Sequence, residues 1–252
     1  MPFDFIWFDL GNTLLHRDRE GLFAGLLERT TGGMPIGEIE KAFHLTDKRF
    51  MRDFPGLLAR PVEEFLPLYF DILCRNLGVG GDLVALLGAW MSAWKSGELV
   101  WRPFPCVADV LGRLASDGMR LGIISNWDTG ATQLLAGLGL LDRFEVVIIS
   151  SEVGVSKPDK GIFRIALEKA AVGADRCLYV GDNYYDDTLG AAKVGMRSLI
   201  VNRFGSLGVE ELRGQRFIAD ISEVIPFLEE GTSCPVAIAK TGLAPVNARS
   251  EA

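Results

Sequence analysis

The chain holds 252 residues, 48% hydrophobic and 23% charged. That is the balance of a folded globular protein and excludes a disordered or collagenous chain. The net charge of −7 disfavours a duplex-binding surface, which needs a basic face to displace counterions. A phosphate can still be bound where a few cations, or a metal, gather locally.

Residues 3–8, Phe-Asp-Phe-Ile-Trp-Phe, are dense in aromatic and β-branched types and run into Asp9-Leu-Gly-Asn-Thr, the pattern of a short buried strand ending in a turn. From 16 to 100 the character changes. Helical periodicity runs through 21–29, 36–50, 62–77 and 83–94, broken by Gly32-Gly33, Pro55-Gly56 and the glycine-rich 78–81, as expected of a helical insert between the first and second strands. Arg102-Pro-Phe-Pro105 then returns the chain to the sheet, since two prolines cannot continue a helix. Beyond it, helical patterns at 107–116, 130–138, 160–171 and 188–194 alternate with strand patterns at 120–124, 144–149, 177–180 and 198–201. Alternating strands and helices predict an α/β fold with a parallel sheet covered by helices on both faces. Residues 232–252 are small, polar and proline-containing, the composition of a flexible tail.

Four cysteines, Cys74, Cys106, Cys177 and Cys234, form no CxxC pair and have no neighbouring His, which argues against zinc and for a reducing compartment. The N-terminal stretch carries acids where a signal peptide needs Lys or Arg. No apolar run approaches the roughly 20 residues of a membrane span. The expectation is a cytoplasmic protein with neither membrane nor nucleic-acid partners, its oligomeric state left open.

In an open parallel sheet, ligands bind outside the carboxyl ends of the strands. Here those ends carry Asp9, Ser125 and Gly181-Asp182, the last followed by Asp186-Asp187, and Ser156-Lys157-Pro158-Asp159 lies just past the third strand. Carboxylates gathered at one point repel unless a cation sits among them. Hard oxygen ligands suit Mg2+ joined to a substrate phosphate. Lys157 adds a point charge, Ser125 a hydroxyl, and one carboxylate is available as a nucleophile.

The segments FDLGNTL (8–14), IISNWD (123–128), VSKPDKGIF (155–163) and YVGDNYYDDTLGAA (179–192) resemble, in order, the four motifs of the haloacid dehalogenase-like hydrolase superfamily. The insert after the first motif is similar to the helical cap of its subfamily I, and the wording is close to the Reg-2-like branch. The resemblance implies a Rossmann-like core at 1–15 and 101–231 and a small helical cap domain at 16–100. It implies that Asp9 is the nucleophile forming an aspartyl-phosphate. Mg2+ would be bound by Asp9, Asp182 and the carbonyl of Gly11, supported by Asp187, with Asp186 as the alternative. Ser125 and Lys157 would hold the phosphoryl oxygens, with Asn126 beside them on the substrate.

One position departs from the pattern. The superfamily's phosphatases carry a second Asp two residues after the nucleophile, as acid and base, and here that residue is Gly11. Positioned proton transfer is worth about 10²–10⁴-fold. The expected function is a Mg2+-dependent phosphohydrolase of a small phosphorylated metabolite. Two readings stay open beside it: a metal-free 2-haloacid dehalogenase, disfavoured by Asp182, and a catalytically weak protein that binds phosphate or a partner. Trp90, Trp94 and Trp101 read as packing, Trp127 and Tyr184-Tyr185 as packing or pocket lining. His16 reads as a structural residue near a hinge, and Lys48, Arg49 and Arg52 as a solvated helix face.

Overall fold

The computed structural model describes residues 2–230, so the tail at 232–252 lies outside the described residues. In chain order the elements are β1 (Phe5–Phe8), β2 (Leu15–His16), α1 (Arg19–Thr31), α2 (Ile36–Asp53), α3 (Val62–Leu77), α4 (Leu83–Lys95), β3 (Arg102–Pro103), α5 (Val107–Ser116), β4 (Arg120–Ser125), α6 (Ala131–Gly137), β5 (Val146–Ile149), α7 (Ser150–Val153), α8 (Lys160–Ala170), β6 (Cys177–Gly181), α9 (Leu189–Ala192), β7 (Arg197–Val201), β8 (Phe217–Ile218) and α10 (Val224–Glu229). Six strands form one parallel sheet in the order β5-β4-β1-β6-β7-β8.

β1 is buried along its whole length because both faces of the sheet are covered. Ile6 and Phe8 enter one core with α5, α6 and α10, while Phe5 and Trp7 enter the other with α8 and α9. The neighbouring strand leaves room for this: a Cβ on Gly122 of β4 would lie 2.5 Å from Trp7 and 2.7 Å from Phe5. The register pairs Phe8 with both Ile123 and Val180, so β1, β4 and β6 end side by side and deliver Asp9, Ser125 and Asp182 to one edge.

Helices α1–α4 bury their own aromatic core around Phe23, Phe43, Phe70 and Trp90. Asp18 and Asp82 cap α1 and α4 by accepting from the Gly21 and Ala85 amides, and Gly32 and Gly78 close α1 and α3 in the left-handed conformation. Chain enters and leaves this layer through β2 and β3, which pair antiparallel. These two-residue strands, like β8, are too short for a period-2 pattern to reveal. No helix among the described residues is long and apolar enough to cross a membrane.

Candidate active site

The turn after β1 begins with Asp9, whose amide donates to the Val180 carbonyl at 2.9 Å. Its Oδ1 accepts two hydrogen bonds, from Ser125 Oγ at 2.8 Å and Lys157 Nζ at 2.7 Å, and none among the described residues falls on Oδ2. The carboxylate is thus held by one oxygen while the other has no donor. Asn12 completes the turn at φ 53°, a left-handed conformation that Asn tolerates better than most residues.

Lys157 is 6% exposed. Its ammonium also donates to Asp187 Oδ1 at 2.6 Å and to Tyr179 OH at 2.9 Å, and that phenol in turn donates a hydrogen bond to the Ile124 carbonyl at 2.7 Å. Burial alone would lower the Lys157 pKa, but Asp187 and Asp9 outweigh it and hold the ammonium well above its ordinary value. The Asn126 amide fixes the Lys157 backbone at both ends, accepting from its N–H at 2.7 Å and donating to its carbonyl at 2.9 Å.

After β6 the chain makes one π-helical turn, Tyr184–Thr188, capped by the Asn183 side chain. This turn folds Asp187 back beneath Gly181, where a Cβ at 181 would collide with the Asp187 carboxylate. Glycine at this position therefore lets the acid approach the strand end. Asp9, Asp182 and Asp187 each offer an oxygen within 4.8 Å of the others, and all three are buried. Asp186 lines the same small cavity but stands outside this cluster, its carboxylate receiving Asn183 Nδ2 at 3.0 Å.

Burial pushes the Asp182 carboxyl up to about 7, with Asp9 and Asp187 adding to the shift and Lys48 opposing it. Burial, then Asp187, pushes Asp186 up to about 7 as well. Carboxyls held so far above their ordinary value by burial, with neighbouring acids adding to it, are characteristic of functional sites. The donors are hard oxygens without thiol or imidazole, so the set fits a cation of the Mg2+ type.

Lys48 corrects a sequence expectation. The ammonium expected on a solvated face is 4% exposed, and it donates to the Asp182 carbonyl at 2.5 Å and lies 3.6 Å from the Asp182 carboxylate. Arg49 and Arg52 do face solvent. The signal was present: Lys48 lies three or four residues from His44 and Met51 on the side of α2 that meets the core, between the buried Phe43 and Phe50. Tyr179 was missed because a buried aromatic in a strand reads only as core.

The remaining candidates are placed as follows. Gly11, Asn126 and Trp127 line the small cavity with Asp9 and Lys157. Trp90 is fully buried in the helical layer. Tyr184 is buried and Tyr185 donates to Glu211 at 2.8 Å. His16 stacks on Phe104 with ring centroids 4.6 Å apart, in the β2–β3 connection.

Residues 6–201 match the family model for haloacid dehalogenase-like hydrolases. Over 136 residues the chain is 40% identical to the glyceraldehyde 3-phosphate phosphatase of Methanothermobacter thermautotrophicus, covering 53% of this chain and 60% of that one. Over 137 residues it is 39% identical to haloacid dehalogenase-like hydrolase domain-containing protein 3 of Homo sapiens, covering 53% and 55%. The chain spans about half the length of the curated relatives it matches. The HAD-hydrolase YfnB of Bacillus subtilis, solved bound to magnesium, superposes with a TM-score of 0.60 over 90% of this chain and 99% of that one at 20% identity, a likeness of fold. With the match running from β1 to the end of β7 through all the strand-end residues above, the chain belongs to the haloacid dehalogenase-like hydrolase family.

Proposed function

We propose that the protein is a Mg2+-dependent phosphohydrolase of a small phosphorylated metabolite, with Asp9 as nucleophile. The observation that carries this is the meeting of three buried carboxylates, Asp9, Asp182 and Asp187, near the ends of β1 and β6, with the Lys157 ammonium paired to Asp9 and Asp187. The phosphatase names of relatives such as that of Methanothermobacter support a phosphate ester as substrate. Asp182 and Asp9, with Asp187 behind them and the Gly11 carbonyl, are the groups that would hold Mg2+. When bound, the ion would offset the charge of the phosphoryl oxygens.

Lys157 and Ser125 orient the Asp9 carboxylate and stand ready as donors to the phosphoryl group. Asn126 positions Lys157. An Asp9 oxygen attacks phosphorus, the P–O bond to the leaving group breaks, and the leaving oxygen takes a proton from water. Water then splits the aspartyl-phosphate into phosphate and free Asp9. With Gly11 in place of a carboxylic acid, that first proton has no side-chain donor on the turn, so leaving groups of low basicity are favoured. Residues 1–15 and 101–231 form the catalytic core in this reading, and 16–100 form a cap that excludes water from the reaction.

The test is phosphate release from a panel of phosphorylated metabolites with Mg2+. Release that stops in excess chelator and in Asp9→Asn supports the reading. Release that persists in Asp9→Asn, or halide release from 2-chloropropionate without metal, overturns it.

A further inference from the structure

The cavity at the carboxylates is small, about 170 Å³, and adjoins a larger one of about 830 Å³, with Asn12, Asn126, Trp127 and Lys157 among the residues that line both. That size falls in the range of small-molecule sites, about 300–1,000 Å³. The larger cavity lies between the helical layer and the sheet.

Its cations are not equivalent. Lys157 is committed to Asp9 and Asp187. Arg19 is committed to Asp47, at 2.8 and 3.2 Å, and to Tyr69. Arg60 is exposed at the mouth and paired with Glu64 at 3.4 Å. Arg17 differs: its guanidinium lies 4.4 Å from the Trp101 ring centre and 5.3 Å from that of Trp94. Its Nε is buried without a hydrogen-bond partner, and it takes part in none of the ion pairs among the described residues. Burial lowers its pKa, the like charge of Arg19 adds to this, and only Asp128, exposed at the rim, opposes them. Beside it, Trp94 Nε1 is a second buried donor without a partner. Buried donors of this kind are costly to leave unpaired, and a guanidinium held against an indole is well suited to a carboxylate or phosphate.

Gly11 adds to the picture. A Cβ there would stand 3.6 Å from Trp127 and 3.8 Å from Trp101, and the two indoles meet at 4.7 Å. Indole edges, not a carboxylic acid, therefore border the place beside the nucleophile where the leaving group departs.

We propose that this cavity takes the organic part of a phosphate ester carrying a second anionic group, carboxylate or phosphate, bound by the Arg17 guanidinium with its carbon skeleton along Trp101 and Trp127. The proposal rests on the phosphohydrolase reading for its phosphate end.

The test compares phenyl phosphate with 4-carboxyphenyl phosphate, in the presence of Mg2+, on the wild type, Arg17→Gln and Arg17→Lys. The wild type is expected to show a lower KM for the carboxylated ester. Arg17→Gln is expected to raise that KM about tenfold or more while leaving KM for phenyl phosphate within about twofold, with Arg17→Lys between them. An equal change for both esters would mark Arg17 as packing only and overturn the proposal. Calorimetric titration with phenylphosphonate and 4-carboxyphenylphosphonate separates this inference from the reading beneath it. Discrimination through Arg17 in binding, without hydrolysis of either ester, would sink the phosphohydrolase and keep the anion subsite. The absence of discrimination in binding would overturn the subsite whether or not the esters are cleaved.

Discussion

Lys48 on the helical layer reaches across to the core and donates to the Asp182 carbonyl at 2.5 Å, its ammonium 3.6 Å from the Asp182 carboxylate. The same helix meets the core through His44 at the Leu207 carbonyl and through exposed pairs Glu40–Arg203 and Arg52–Glu211. Exposed pairs of that kind contribute little, whereas a buried ammonium beside a buried carboxyl ties the helical layer to the acids of the site.

Removing that ammonium is expected to have opposite effects on stability and on cation binding. Lys48→Met leaves Asp182 without its nearest positive charge, and breaking a buried pair costs about 3 kcal/mol, so the cation-free protein should melt earlier. The substituted site repels a divalent cation less, so the Kd for Mg2+ at about pH 8 should fall. Calorimetry in both modes checks this. A variant that loses stability and also binds Mg2+ more weakly would show that Lys48 organises the acids instead of competing for them.

The acids themselves predict a pH dependence. Burial raises Asp182 from 3.8 to about 7, and Asp186 likewise from 3.8 to about 7. Between those values the folded chain holds protons that the unfolded chain has released, so this contribution stabilises the cation-free protein at low pH and is lost as pH rises toward about 7. Mg2+ requires the ionised carboxylates, so its binding strengthens over the same window. The rise in melting temperature on adding Mg2+ should therefore grow from about pH 5 to about pH 7.5. A rise independent of pH would place the cation elsewhere.

Gly181→Ala is a steric test of the cluster. The added methyl group collides with the Asp187 carboxylate, so either Asp187 leaves Lys157 or the strand end shifts. Overpacking of this kind costs about 1–3 kcal/mol, and Mg2+ affinity should drop about tenfold. An unchanged affinity would show that Asp187 is dispensable to the cation.

The vacant acid position can be refilled. A Cβ on Gly11 meets the two indoles only at ordinary contact distance, so Gly11→Asp is expected to fold. If proton delivery limits turnover, kcat on alkyl phosphates should rise by as much as about 10²-fold, with a smaller gain on aryl phosphates. No gain on either class would mean that the leaving group needs no acid at this position.

Much of this arrangement is legible in the sequence, for a physical reason. Asp9, Ser125 and Asp182 each follow a short run of buried strand residues, and parallel pairing in register must bring such ends together. Lys157 and Asp187 stand near those ends in the sequence, but the pairing of Lys157 with Asp9, the choice of Asp187 over Asp186 and the part of Asn126 rest on the resemblance of their segments to known motifs or on the packed structure, because the partners lie up to 148 residues apart. Lys48 carries only the helical spacing that sets it on the inner side of α2, and Tyr179 carries no signal beyond burial. One is a basic residue on an amphipathic helix and the other an aromatic in a strand, and their roles arise only when the helical layer settles on the sheet. The commitments that leave Arg17 the unpaired cation of its cavity among the described residues are likewise a property of the packed structure.

The central claim is that Asp9 attacks phosphorus, and the most direct measurement is mass spectrometry of the acid-quenched protein during turnover of phenyl phosphate with Mg2+. The account predicts one added phosphoryl group on the peptide that contains Asp9, absent in Asp9→Asn and in excess chelator. Phosphate release at an undiminished rate by Asp9→Asn, or turnover that leaves that peptide unmodified, would contradict it.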